Sequence, residues 1–196
     1  ESSAASDVYK RQTLGYAIAD SLMAKKRVAI TDTLMDLESH TEIPSERIDY
    51  ILKVDSIGDP KGIVSGTTRI TKDPVGLRIA QKAVEVMVAT GLVKEGMNYQ
   101  SGAGGVSLAV TKFLGDYMKE NEIKGGFASG GVTGDLVNMM KDGLFDRIYD
   151  VQCFDLVSAE NIKEDDRHIS MSAEKYASVD RDAIVNGLDF VILGAT

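Results

Sequence analysis

The chain has 196 residues, 43% hydrophobic and 27% charged, which is long enough for one full domain or for parts of two. With 22 Lys and Arg against 30 Asp and Glu, its net charge of −8 argues against nucleic acid as a partner. A single cysteine excludes an internal disulfide, and no apolar run approaches the roughly 20 residues that span a bilayer. These properties predict a cytoplasmic globular protein.

Both ends of the sequence differ from those of a complete domain. Residues 1–12 are small and polar and are similar to translated adapter scars, so we expect an artefactual tail there. At the other end, the apolar run 188–193 is typical of a buried strand, and the sequence stops where the next loop would begin. We therefore expect a piece of a longer protein that is truncated on both sides.

The first part of the chain predicts one helix and two short strands. The helix is expected over residues 14–24, and the strands over 27–31 and 47–57. Residues 58–71 are rich in Gly, Ser and Thr, which favours a long loop or linker. We interpret this segment as the boundary between two units.

The second part alternates between helices and strands. Asp73 as N-cap, Pro74 at the first helical position and Gly91 after the last one bound a helix. Further helices are expected over 106–119, 134–141 and 156–163, and strands over 98–101, 126–129, 147–152 and 188–193. The alternation predicts an α/β fold with a mostly parallel sheet and helices on both faces.

Two glycine clusters, at residues 101–105 and 129–134, each follow a predicted strand and precede a predicted helix. Absent Cβ atoms let a ligand approach the backbone, and a helix N-terminus offers unpaired N–H groups. Ligands of open α/β sheets bind beyond the carboxyl ends of the strands, so the clusters predict a ligand site. The alternative is that these glycines only form tight turns. Neither cluster contains a dinucleotide fingerprint, a P-loop or a nucleophile elbow.

Other polar residues do not form a recognisable site. His40 and His168 lack partners at metal-ligand spacing, which favours solvated or locally hydrogen-bonded histidines. Cys153 follows an apolar strand and is interpreted as a small buried residue. The pair Asp165 and Asp166 belongs to an acidic stretch that we expect to be solvated.

A locally basic segment carries a net charge of +4, because Asp73 is its only acid against Lys61, Arg69, Lys72, Arg78 and Lys82. A solvated helix face explains this segment most simply. The alternative is a docking patch for a phosphate-bearing arm or an acidic carrier protein.

Six stretches between residues 13 and 196 resemble the citrate lyase alpha subunit family of CoA-transferases. They are TLGYAIAD, VDSIGDPKGIVSGTTRITKDPVGLRIAQKA, YQSGAGGVSLAVTKFL, FASGGVTGDLVNMMKDGL, DVQCFD and LDFVILGAT. Similarity to the acetate and 4-hydroxybutyrate CoA-transferases is more distant, and in those the segment like QSGAGG is a loop near the CoA thioester. The resemblance implies a CoA-transferase-like fold of two similar halves, with residues 13–70 ending the first and 71–196 beginning the second.

The resemblance also implies a reaction and its partners. Citrate replaces acetate on an acyl carrier protein, the gamma subunit, whose arm is a phosphoribosyl-dephospho-CoA group. A beta subunit then cleaves the citryl thioester to oxaloacetate. No cofactor bound covalently to this chain and no metal is implied.

The resemblance assigns site residues only in part. The family's glutamate nucleophile follows a stretch like VILGAT, so we expect it beyond Thr196 and expect this chain alone to be inactive. The residues implied to hold thioester or oxyanion oxygens are Gly102, Ala103, Gly104 and Gly105, with Gly130 and Gly131 beside them.

Two functions of other classes remain open at this point. The first is a non-enzymatic α/β ligand-binding or assembly module. It is distinguished from a CoA-transferase by whether the parent reading frame continues from Thr196 into a Glu followed by an acidic-apolar strand, as a transferase requires. A nucleotide-dependent oxidoreductase is the other, although the fingerprint and a ribose-binding acid at the required distance are missing.

Overall fold

The computed structural model describes residues 15–34, 43, 45–59 and 69–194. Its helices are α1 (Ala17–Met23), α2 (Pro74–Ala89), α3 (Gly105–Glu120), α4 (Gly134–Lys141), α5 (Leu156–Glu164) and α6 (Ala173–Ala177). Its strands are β1 (Val28–Thr31), β2 (Tyr50–Lys53), β3 (Tyr99–Ser101), β4 (Gly125–Val132), β5 (Phe145–Cys153), β6 (His168–Ser170) and β7 (Phe190–Val191). Single 3₁₀ turns lie at Ser45–Arg47 and Ile184–Gly187. The tail at residues 1–12, His40, Lys61 and most of the predicted linker fall outside the described residues.

The strands form two parallel sheets. β1 pairs with β2, and the larger sheet has the order β6-β5-β4-β3-β7 with every neighbouring pair parallel. The α/β fold with a parallel sheet is therefore confirmed. Parallel neighbours place their carboxyl ends at one edge of the sheet, where ligands of such folds bind.

Helix α2 is specified locally by its own sequence. The Asp73 side chain accepts a hydrogen bond from the Gly76 N–H at 2.7 Å, and Pro74 occupies the first helical position without losing a donor. The buried face of this helix consists of Gly76, Ala80, Val84 and Met87. That face packs against α3 and closes one side of the core.

Helices cover both faces of strand β3, which lies between β4 and β7. Tyr99 and Ser101 point to one face, where both hydroxyls hydrogen-bond the Thr111 side chain of α3 at 2.8 and 2.7 Å. Gln100 points to the other face, where it contacts Tyr176 of α6. The core between sheet and helices includes the fully buried side chains of Tyr99, Phe145, Leu114, Met118, Leu136 and Ile148.

Several predicted boundaries differ from the structure. β4 runs on to Val132 through the second glycine cluster, because the β5 backbone pairs with it along its whole length. The short elements β6 and α6 were not predicted, since runs of three and five residues give little periodicity. The last strand is shorter than expected and pairs with β3 only at Phe190 and Val191.

The division at about residue 70 stays a prediction. Gly15, before the predicted boundary, accepts a hydrogen bond at 3.0 Å from the Ala173 N–H of α6. An added Cβ at Gly15 would lie 2.5 Å from the Val151 carbonyl oxygen, so the two parts of the chain are in close contact here. Among the described helices, none is long and apolar enough to cross a membrane.

Candidate functional site

A cleft of about 180 Å³ opens at the carboxyl ends of β3, β4 and β5. Four of the six predicted site residues line it, namely Gly102, Ala103, Gly130 and Gly131. The other lining residues are Tyr16, Gln100, Ser101, Val151, Gln152, Phe154, Tyr176 and Leu193. None of these described lining residues carries a charged side chain, so the cleft offers amide, hydroxyl and backbone groups to a ligand.

Gly130 and Gly131 lie inside strand β4, not in a turn after it as the sequence predicted. The register shifts between them, where β4 pairs with β5 through a bulge. Gly130 has a φ of +104°, and an added Cβ would lie 2.1 Å from the Ser101 carbonyl oxygen and 2.9 Å from Gln100 Cγ. This glycine is therefore required both by its backbone conformation and by the close approach of β3.

Two glycines of the first cluster are also explained by packing. A Cβ on Gly102 would lie 2.8 Å from the Ile192 carbonyl oxygen, and one on Gly105 would lie 2.9 Å from the Arg69 carbonyl oxygen. The Gly105 carbonyl also accepts a hydrogen bond from the Thr71 N–H at 3.0 Å. Gly105 is absent from the cleft lining, and its place in the structure is a contact between α3 and the chain that enters α2.

Gly104 is different from its neighbours. It is the N-cap of α3 with φ −74° and ψ 152°, which any residue adopts, and an added Cβ would meet nothing closer than Ser107 Oγ at 4.0 Å. The residue is exposed beside the cleft. Neither strain nor packing within the described structure requires a glycine at this position.

The N-terminus of α3 is open to a ligand. The first intrahelical bond runs from the Leu108 N–H to the Gly104 carbonyl at 2.9 Å, and no side chain caps the helix. The N–H groups of Gly105, Val106 and Ser107 therefore have no hydrogen-bond acceptor among the described residues. Such a terminus favours an anion or a polarised oxygen.

The second glycine cluster offers no such terminus. The Gly134 N–H at the start of α4 donates to the Asp155 carboxylate at 2.7 Å. The same Asp155 caps α5 through the Ser158 N–H at 2.8 Å. Because a carboxylate of the chain already occupies the α4 terminus, the two clusters are not equivalent, contrary to the expectation from sequence.

Three polar side chains form a hydrogen-bonded row at the cleft, and two of them, Gln100 and Tyr176, line it. The Tyr176 hydroxyl hydrogen-bonds the Gln100 side-chain oxygen, and Ser129 Oγ lies 2.9 Å from the Tyr176 hydroxyl. Burial raises the pKa of the Tyr176 phenol above its ordinary value. These three residues belong to no motif in the sequence, although the alternation of β3 separates Gln100 from Tyr99 and Ser101.

Comparison with known proteins decides the family. The family "Citrate lyase, alpha subunit (CitF)" matches residues 6–196 of the chain. The chain belongs to the citrate lyase alpha subunit family. It is 41% identical to the citrate lyase alpha chain of Haemophilus influenzae over 185 residues, which cover 93% of this chain and 37% of that protein. The alpha chain of Escherichia coli K12 is also 41% identical, with 36% of its length covered.

A solved structure of the same family has the same fold. The putative alpha subunit of citrate lyase from Streptococcus mutans, solved in complex with citrate, superposes with a TM-score of 0.83 at 41% identity. The match covers 93% of this chain and 36% of that one. The chain thus spans a little over a third of the length of these citrate lyase alpha subunits.

Behind the cleft, the structure joins residues that the sequence left apart. His168 is buried, with Nε2 at 2.8 Å from Asp150 Oδ2 and Nδ1 at 3.0 Å from Asn161 Oδ1. Cys153 is buried as predicted, and its thiol donates to the same Asp150 oxygen at 3.0 Å. His168 is therefore a hydrogen-bonded core residue, and its carboxylate partner lies 18 positions away in the sequence.

The atoms of Asp150, Cys153 and His168 that are able to bind a metal all lie within 4.8 Å of one another. Tetrahedral zinc ligands with bonds of about 2.0–2.3 Å stand roughly 3.4 Å apart or more. The 2.8 and 3.0 Å separations found here are those of hydrogen bonds. The arrangement therefore stabilises the end of β5 against β6 and α5.

Two cations of the basic segment, Arg78 and Lys82, lie on a separate surface of α2. Arg78 and Lys82, with Pro74, Val75 and Ile79, line a shallow groove of about 520 Å³. Lys82 is paired with Glu85 on the solvent side, and Arg78 is exposed. The groove and the cleft share no lining residue. The choice between a solvated face and a docking patch stays a prediction.

Proposed function

We propose that this chain forms part of a citrate CoA-transferase, which exchanges acetate for citrate on the thioester of an acyl carrier protein. Membership in the citrate lyase alpha subunit family supports the proposal. The observation that carries it is the uncharged cleft next to the open α3 N-terminus at the carboxyl ends of the strands. We assign the glycine loop 102–105 to the thioester end of the substrate.

The proposed chemistry is acyl transfer. A carboxylate oxygen bonds to the thioester carbonyl carbon, the C–S bond breaks, and the thiolate leaves. The thiolate then attacks the glutamyl carbonyl of the resulting acetyl–glutamyl anhydride, which expels acetate and leaves a glutamyl thioester. A citrate carboxylate displaces the thiolate from this thioester and forms a citryl–glutamyl anhydride. The thiolate attacks the citryl carbonyl of that anhydride, which gives the citryl thioester and frees the glutamate without oxidant or water. The N–H groups at the start of α3 would stabilise the negative charge that develops on the carbonyl oxygen.

The proposed partners follow from this reaction. The gamma subunit would supply the thioester on a phosphoribosyl-dephospho-CoA arm, and the beta subunit would cleave the citryl thioester in the cytoplasm. A cleft of about 180 Å³ is smaller than the roughly 300–1,000 Å³ of pockets that enclose drug-sized ligands. We therefore assign only the acyl end of the arm to it.

We further propose that the attacking glutamate comes from a part of the subunit outside these 196 residues. The described residues that line the cleft include no carboxylate. We expect the purified 196-residue chain, mixed with acetyl-CoA and citrate, to form no citryl thioester. Turnover above a protein-free control would place the nucleophile within this sequence.

The test of the site uses Gly104→Val in a full-length alpha subunit that carries these residues. Added volume beside the α3 terminus would block the thioester, and the loss of one oxyanion donor typically lowers the rate by about 10²–10³. The structure leaves open space for the new side chain, so the expected cost is the loss of a favoured N-cap residue, and we expect the melting temperature to fall by no more than about 5 °C.

The matched control is Ala89→Val, which adds volume at an exposed position of α2 away from the cleft. We expect it to keep the full transfer rate. The Gly104→Val complex should still cleave a pre-formed citryl thioester, since another subunit performs that step. Normal transfer by a folded Gly104→Val subunit would contradict the site and would favour a non-enzymatic assembly module.

A further inference from the structure

Gln100 occupies a special place in the cleft because of the strand that carries it. It is the middle residue of β3, flanked by Tyr99 and Ser101, whose side chains bond to α3 on the opposite face. Its own side chain reaches the cleft in the space left by the missing Cβ of Gly130, which would lie 2.9 Å from Gln100 Cγ. A position in a strand paired on both sides holds this side chain more firmly than a loop would.

The hydrogen bonds around Gln100 fix the orientation of its amide. The side-chain oxygen Oε1 is an acceptor only, so the Tyr176 hydroxyl donates its single proton to it. The 2.9 Å contact between Ser129 Oγ and the Tyr176 hydroxyl then has Ser129 as its donor, in preference to the longer 3.5 Å contact from Ser129 Oγ to the Tyr99 carbonyl oxygen. With Oε1 held by Tyr176, the Nε2 group of Gln100 has no acceptor among the described residues.

We infer that Gln100 Nε2 donates a hydrogen bond to the carbonyl oxygen of the bound acyl group, and that Tyr176 and Ser129 position it for this purpose. The inference rests on the proposed function and adds a side-chain donor to the backbone N–H groups of α3. The donor approaches from the β3 side of the cleft, and the N-terminus of α3 follows residues 102–104, which continue from the same strand. Two donors of different origin would then hold the developing oxyanion.

The cleft contents favour a carbonyl oxygen over a free anion. No cationic side chain is among the described lining residues, whereas strong anion sites usually include Arg or Lys. A neutral amide donor next to backbone N–H groups suits an oxygen whose negative charge develops only in the transition state. Gln100 is thus assigned to the acyl carbonyl, and Tyr176 to the orientation of Gln100.

The experiment measures acyl exchange between acetyl-CoA and citrate in a full-length alpha subunit with Gln100→Leu, Tyr176→Phe and the double variant. We expect Gln100→Leu to lower kcat by about 10²–10³ with little change in KM, because the donor acts mainly in the transition state. Tyr176→Phe should lower kcat by about tenfold, since the amide loses its fixed orientation. The double variant should be no slower than Gln100→Leu alone, because the two residues act as one unit.

Tyr149→Phe is the matched control, because this tyrosine of β5 packs against Phe127 and is not among the residues that line the cleft. We expect it to keep the parent rate. A Gln100→Leu enzyme with kcat within twofold of the parent, or a double variant whose losses multiply, would overturn the inference. If Gln100→Leu kept the parent rate while Gly104→Val abolished exchange, the proposed function would stand and only the role of Gln100 would be wrong. Unchanged rates in both variants would contradict the proposed function itself.

Discussion

The imidazole of His168 and the carboxylate of Asp150 form a hydrogen bond of 2.8 Å in which both side chains are fully buried. The pair joins β6 to β5 directly behind the residues that line the cleft. Removing one partner of a buried polar pair strongly destabilises the folded protein. The remaining partner then lies in the core without a hydrogen bond to replace those it makes with water in the unfolded chain.

We expect His168→Ala to lower the free energy of unfolding by about 3–5 kcal/mol, since Asp150 would lose its nearest donor. Urea denaturation of the chain measures this loss. The matched control is Asp166→Ala, because Asp166 is exposed two residues before His168, and we expect a change within about 0.5 kcal/mol. A loss below about 1 kcal/mol for His168→Ala would show that the pair is not important for stability.

A second prediction about stability concerns Gly130, the glycine at the bulge of β4. An alanine at Gly130 would combine a φ of +104° with a Cβ 2.1 Å from the Ser101 carbonyl oxygen. We expect Gly130→Ala to lower the melting temperature by about 10 °C or more, because β3 and β4 must separate to admit the methyl group. Gly104→Ala is the control, and we expect its melting temperature to fall by no more than about 5 °C. Equal melting temperatures for both variants would contradict the close approach of the strands.

The buried phenol of Tyr99 is expected to lower the free energy of unfolding at alkaline pH. Burial raises the pKa of its phenol to about 12, against 10 in the unfolded chain, although hydrogen bonds from Thr111 and Ser101 oppose the shift. Because the pKa is higher in the folded state than in the unfolded state, this group's contribution to the free energy of unfolding is complete below about pH 10. The contribution is lost as the pH rises through about 12. At pH 11 the loss from this group alone is about 1.4 kcal/mol.

Urea denaturation between pH 8 and pH 11, compared with Tyr99→Phe, isolates this effect. The Tyr99→Phe variant lacks the titrating group, so its free energy of unfolding should decrease less steeply as the pH rises. The difference in free energy of unfolding between the two proteins should therefore become smaller at high pH. If the free energies of unfolding of the two proteins changed in parallel with pH, Tyr99 would have the same pKa in the folded and the unfolded state, which would contradict the prediction.

The two-stranded sheet of β1 and β2 is expected to be less stable than the five-stranded sheet. All side chains of β2 are exposed and those of β1 alternate between exposed and half-buried, with Val28 at 58% and Ile51 at 59% of full exposure. A sheet of two strands without a covered face is marginal in water. Hydrogen exchange should therefore be much faster for amides of β1 and β2 than for those of β4 and β5. Equal protection in the two sheets would contradict this expectation.

Sequence alone determined the features that depend on neighbouring residues. Helix α2 begins at Pro74 because Asp73 caps an N–H only three positions away, and a contact of that range is encoded locally. The alternation of helices and strands likewise gave the parallel α/β sheet, and the buried position of Cys153 followed from its place after an apolar strand. The sequence also placed both glycine clusters at the carboxyl end of a strand, where they lie in the structure, and their role in ligand binding stays a prediction.

Tertiary structure decided what those glycines do. Asp155 closes one helix terminus and leaves the other open, and Gly130 proved to be a strand residue that makes room for β3. Gln100 meets Tyr176 across 76 residues, in an arrangement that requires β3 to lie beside β4 and α6 to cover them. Periodicity and capping act over a few residues, whereas these contacts depend on the order of strands in the sheet, which burial of the whole core selects.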